Sequence, residues 1–146
     1  EQGVFEMIPK FRVWDKDHKY MEYTDKNLVV CFSDEGADAV DHTTFSLSCT
    51  SMENFELMQS TGLKDILGND IYVGDIVKVL VEDDSPKIMS GKMYIGVVAY
   101  NQGVFDIRTF KDTYLGIIPQ VYLSDVNCAF RVLGNIYENE ELLEDN

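Results

Sequence analysis

Cationic side chains are scarce in this chain of 146 residues: 12 lysines and arginines stand against 26 aspartates and glutamates, a formal net charge of −14. Nucleic-acid binders draw affinity from clustered Lys and Arg that displace counterions from phosphates, and no basic cluster occurs in this sequence, so its charge opposes a nucleic-acid partner. Cysteine is sparse too. Cys31, Cys49 and Cys128 are odd in number and far apart, whereas a disulfide framework favours even counts and a zinc site favours close pairs. They read as reduced, part-buried small apolar residues. No apolar run approaches the ~20 residues that cross a bilayer, which excludes a membrane-spanning helix. The first residues lack a basic segment leading into an apolar core, so the chain reads as cytoplasmic. Met7 reads as a natural start, with residues 1–6 as an extension, because Phe11-Arg12-Val13-Trp14 follows at once as a first strand.

Apolar material is ample. Apolar residues make up 45% of the chain, with eight Tyr, eight Phe and one Trp, enough to fill one domain of this length or two small β units sharing a core. Residues 1–60 hold 5 basic and 12 acidic side chains, a net of −7. Residues 61–131 hold 7 and 9, a net of −2, and residues 132–146 hold none and 5, a net of −5. The middle is nearly balanced and the ends read as solvating acidic surface.

Short β-type runs separated by turn residues dominate. Residues 11–14 and 20–24 flank a polar link and suit a hairpin. Residues 28–32 form a compact apolar run, and Phe45, Leu47 and Cys49 alternate with serines as a half-buried strand should. Between them, residues 33–43 are polar, acidic and Gly-containing, and read as a mobile loop or extended hairpin tip. The densest turn signal follows at Lys64-Asp65-Ile66-Leu67-Gly68-Asn69-Asp70. Residues 76–81 are then apolar on both faces apart from Lys78, as a strand buried on both sides requires. After a polar connection at residues 82–92, runs 94–100 and 104–110 bracket Asn101-Gln102-Gly103, and residues 131–137 make a final strand. Residues 124–127 read as a turn or one helical turn, and no helix of three or more turns is predicted. The expected architecture is mainly β with little helix: an N-terminal β unit (residues 7–56), an SH3-like small barrel (57–138) and an acidic tail (139–146).

Three motifs resemble one family in their order and residues. Met58-Gln59-Ser60-Thr61-Gly62-Leu63-Lys64-Asp65 with Gly68-Asn69-Asp70-Ile71-Tyr72-Val73-Gly74-Asp75-Ile76-Val77 is similar to the central signature of the YopX family of phage and prophage proteins. Phe11-Arg12-Val13-Trp14-Asp15 agrees near the start. Gly134-Asn135-Ile136-Tyr137-Glu138-Asn139, followed by Glu141-Leu142-Leu143, agrees near the end. The resemblance implies a phage-encoded β protein with an SH3-like barrel portion, working inside a bacterial host cell, and it implies no particular biochemical activity.

Asp65, Asp70 and Asp75 recur every five residues, but a calcium loop needs tighter alternate spacing and a late bidentate Glu, so they read as turn and capping carboxylates. Gly62, Gly68 and Gly74 lack the spacing and following helix of a phosphate loop and read as turn glycines. His18 and His42 read as surface loop histidines, since no nucleophile can be placed beside the Asp41-His42 pair. No catalytic, metal or cofactor residue is predicted. The possible interaction residues are Arg12, Trp14, Tyr20 and Tyr23, which with Lys10 form the most basic-aromatic corner. The expected function is a non-enzymatic protein-interaction or self-assembling module. The alternatives are a nucleic-acid-binding barrel and an acidic mimic that occupies a host DNA-acting protein.

Overall fold

The structure, a computed structural model, describes residues 9–41, 50–81, 92–123 and 128–144. Among the described residues the fold is mainly β with antiparallel strand pairing, and helix is nearly absent. Two compact units divide the chain, Glu1–Ser60 and Thr61–Asn146.

In the first unit β1 (Phe11–Asp15) lies between β2 (Tyr20–Tyr23) and the leading half of a later strand, so both of its edges are paired. Arg12, Val13, Trp14 and Asp15, which alternate between its two faces, are all buried. The β1–β2 link closes on the Asp15 carboxylate, whose Oδ1 accepts the backbone N–H groups of Asp17 (3.0 Å) and His18 (3.1 Å). Lys19 takes the left-handed conformation (φ 60°) that returns the chain into β2. β3 (Leu28–Ser33) and β4 (Gly36–Asp41) form a second hairpin in full register, from Ser33↔Gly36 to Leu28↔Asp41, and β5 (Thr50–Ser51) extends it. β6 (Phe55–Lys64) then pairs with β1 through its first residues, from Asp15↔Phe55 to Phe11↔Gln59. Val13, Leu28 and Ala39 make the core of this unit, with Val30, Met52, Phe55 and Leu57 against it.

The acidic stretch expected as a mobile loop or extended hairpin tip is the tip of the β3–β4 hairpin, with Asp34 and Glu35 in the turn and strand from Gly36 to Asp41. Its outward position carries Asp38 and its inward one carries Ala39, which is fully buried, so the strand period was hidden by charge on the solvent side. The strand expected around Phe45, Leu47 and Cys49 lies outside the described residues, as do His42, Met7, residues 82–91 and the turn at residues 124–127.

In the second unit β7 (Asp70–Tyr72) leads into β8 (Asp75–Val81), followed by β9 (Met93–Asn101), β10 (Val104–Thr109), the seven-residue helix α1 (Ile117–Leu123) and β11 (Cys128–Asn135). The four longer strands order as β10-β9-β8-β11. β8 is interior, and its Ile76, Val77, Val79 and Val81 are all fully buried, as its two-faced apolar sequence required. The three valines pack with Val98, Ile107 and Phe130, and α1 contributes Ile117 and Ile118. Gln102 and Gly103, both at positive φ, turn β9 into β10, the geometry that matches strand twist in a two-residue hairpin link. Among the described residues the pairings end at β10 and β11, and they do not establish the SH3-like detail expected of this unit. Each outer edge is met by a neighbouring link: Leu115, after β10, donates to the Ile107 carbonyl (3.0 Å), and Ile66, in the link that precedes β7, donates to that of Phe130 (2.9 Å).

The motif at residues 62–79 builds this edge. Asp65 is buried, and its Oδ1 accepts the N–H groups of Leu67 (3.0 Å) and Asn69 (2.8 Å). Its Oδ2 accepts Val132 N–H (3.0 Å), which ties the turn to β11. Burial pushes the Asp65 carboxyl up, yet these backbone donors outweigh it and hold the group below its ordinary value. Asp75 accepts Tyr72 N–H (2.8 Å) across the turn made by Gly74 at φ 95°.

Candidate interaction surface

The predicted basic-aromatic corner is drawn inward. Arg12 and Trp14 are 3% and 9% exposed on β1, and Tyr20 and Tyr23 are half-buried on β2, so these four side chains brace a hairpin. The register pairs Arg12 with Tyr23 and Asp15 with Tyr20, placing the aromatics of β2 beside the charged residues of β1.

Tyr20 reaches further. Its hydroxyl donates to Asp41 Oδ2 on β4, joining the two hairpins of the first unit. Burial first, then that hydrogen bond and the negative charges of Asp41, Glu22 and Asp15, push the phenol far above its ordinary value. The hydroxyl stays a donor at neutral pH and serves as a brace. Burial and the charge of Asp41 likewise raise the Glu22 carboxyl, only partly offset by the Tyr23 N–H that Glu22 accepts. Beside this network lies an acidic cleft of about 420 Å³ lined by Asp15, Asp17, His18, Tyr20, Asp41, Met52 and Glu53. The His18 ring is exposed and its Nδ1 meets Asp15 Oδ2 at 3.0 Å. The Asp15 carboxyl is raised by burial but lowered further by its bonds to His18 and Asp17, and ends below its ordinary value. Sequence reasoning missed both links. Asp15 and His18 stand three apart in a turn-rich link, which was a readable signal, whereas Tyr20 and Asp41 are 21 residues apart.

Three basic groups of the described surface sit in ion pairs: Lys16 with Glu56 (2.6 Å), Lys64 with Asp70 (2.7 Å) and Arg108 with Asp112 (3.0 Å). Exposed apolar side chains run along β9 and β10 (Met93, Ile95, Tyr100, Val104) and occur at Phe110, Tyr114, Tyr122 and Leu143, and two further groups stand out. One is the tip of the Asp65 turn, where Ile66 and Leu67 are 61% and 66% exposed. The other is β3, where Val29 is 44% and Phe32 59% exposed and Cys31 is also exposed. β3 is the outer strand of its sheet, bonded to β4 alone among the described strands.

The family model described as YopX protein matches residues 10–144. The chain belongs to the YopX family. That match runs from the residue before β1 to just beyond the final 3-10 turn at Glu140–Leu143, so it takes in both compact units. Two solved structures are similar over nearly the whole chain. The crystal structure of protein EF1440 from Enterococcus faecalis is 29% identical with a TM-score of 0.56, covering 95% of this chain and 100% of that one. The crystal structure of protein yopX from Bacillus subtilis is 25% identical with a TM-score of 0.60, covering 92% and 98%. No curated protein matches the chain. In this YopX chain residues of the central signature act as turn formers and strand starts. None of the described helices is long and apolar enough to cross a membrane.

Proposed function

We propose that this chain is a phage- or prophage-encoded, non-enzymatic module that acts in the host cytoplasm by binding protein, copies of itself included. The observation that supports this reading most is the outer edge of β3, a six-residue strand without a charged side chain, exposing Val29, Cys31 and Phe32 and unpaired on that edge among the described strands of a strongly acidic chain. Extended segments recognise one another by adding to such edges, with main-chain hydrogen bonds supplying affinity. The polar network around Tyr20 is consistent with it, because each of its groups is engaged in holding hairpins together. Size-exclusion chromatography with light scattering, joined to a host-lysate capture, tests the reading. Self-association or a stoichiometric protein partner is the expected result, and a strict monomer that retains nothing overturns it.

A further inference from the structure

Resting on that interaction reading, we infer that the partner at this edge is a second copy of the chain, whose own β3 adds antiparallel to β3 so that β4-β3 of each copy joins into one continuous sheet. A strand at a sheet edge presents unpaired N–H and C=O groups, and proteins ordinarily guard them with charge, proline or a covering segment. β3 reads Leu28-Val29-Val30-Cys31-Phe32-Ser33 and has neither charge nor proline. The other described edges of any length are treated differently. β10 is met by residues 113–115, through Thr109 N–H to Thr113 O (2.8 Å) and Leu115 N–H to Ile107 O (3.0 Å). β11 is met by the Asp65 turn, and β2 carries Glu22. β5 and β7 are only two and three residues long.

Charge selects the occupant. At −14, two copies repel wherever their acidic faces approach. An antiparallel two-fold pairing sets β3 against itself, so only uncharged residues come opposite one another, and one patch serves both partners as an isologous interface requires. Alternation turns Val29 and Cys31 to one face, where those of the two copies become cross-strand neighbours and lose the exposure they have in the single chain.

The test combines light scattering with amide hydrogen exchange on the full chain, from a few micromolar to about 200 μM, the range in which an ordinary weak dimer forms. A dimer is expected, with exchange in residues 28–33 slowing as concentration rises. Val29→Lys is expected to raise the dimer dissociation constant at least ~10-fold while circular dichroism and the thermal midpoint show an intact fold. Leu67→Lys, a charge at another exposed apolar site, is expected to leave it unchanged. A dimer indifferent to Val29→Lys overturns the β3 assignment and leaves the interaction reading standing. Slowed exchange in β3 that appears only with host lysate, and never with concentrated pure protein, assigns the edge to a foreign strand and likewise overturns it. A monomer at every concentration that also captures no protein overturns both.

Discussion

Asp65 shows how much of the fold one carboxylate can hold. It accepts N–H groups from its own turn and from Val132, 67 residues away. Bonds to an ionised acceptor are among the stronger ones, and removing the acceptor leaves buried donors unmatched. Asp65→Ala is expected to lower stability by about 2–4 kcal/mol, read as a lower urea midpoint with an unchanged denaturant slope. The pH dependence has a definite sign. Asp65 and Asp15 are held below the ordinary 3.8, so the unfolded chain takes up their protons first as pH falls. Their contribution is complete above pH 3.8 and is lost as pH drops through the folded values. Glu22 runs the other way. Its carboxyl is raised above 4.5, so the stability linked to its proton is present below pH 4.5 and lost as pH rises through the folded value. Glu22→Gln is therefore expected to unfold at higher urea than the parent at pH 7, with the gap closing below pH 4.5, where the parent is itself protonated. The turn role of Asp65 was legible from its neighbours Gly68 and Asn69. Its bond to Val132 was not, because nothing local joins them.

Among the elements, the strands that sequence reported best were those whose two faces differ sharply or not at all. β1 and β2 followed their hairpin signal, and β8 followed its continuous apolar run. β4 escaped notice because small and acidic residues share it, and only packing reveals that Ala39 is an inward position. The β9–β10 ladder depends on a close approach that periodicity does not announce. A Cβ on Gly96 would stand 2.6 Å from the Arg108 carbonyl and 2.7 Å from Ile107 Cγ2. Gly96→Ala is expected to cost about 1–3 kcal/mol through the backbone shift it forces, with faster hydrogen exchange along β10 as the specific readout. The predicted corner of Arg12, Trp14, Tyr20 and Tyr23 was read from residue type along one strand pair. Its burial depends on covering elements that the strand pair does not encode.

At the scale of the molecule, the two units differ in their cores. The first gathers Val13, Leu28 and Ala39, while the second gathers the valines of β8 with Val98, Ile107, Ile117, Ile118 and Phe130. Cooperative stability follows buried apolar contact, so native-state hydrogen exchange is expected to be slowest at Val77, Val79 and Val98 and faster throughout residues 11–41. The net charge of −14 and the absence of a basic cluster in the sequence leave little to attract phosphate. No binding to single- or double-stranded nucleic acid is expected at ~50 mM salt, where an electrostatic binder is tightest, and a saturable shift there would reverse that assignment.

By itself the sequence determined the fold class, the turns and the family. These rest on local chemistry: residue periodicity, the positive φ that glycine tolerates, and the short reach of a turn aspartate. Only the tertiary structure decided which strands end their sheets, which aromatics are covered and which carboxylates share a neighbourhood. Those outcomes depend on pairings between residues distant in the chain, and the open edge of β3 is the one with the largest consequence. A strand six residues long reads the same whether its second side meets another strand or water.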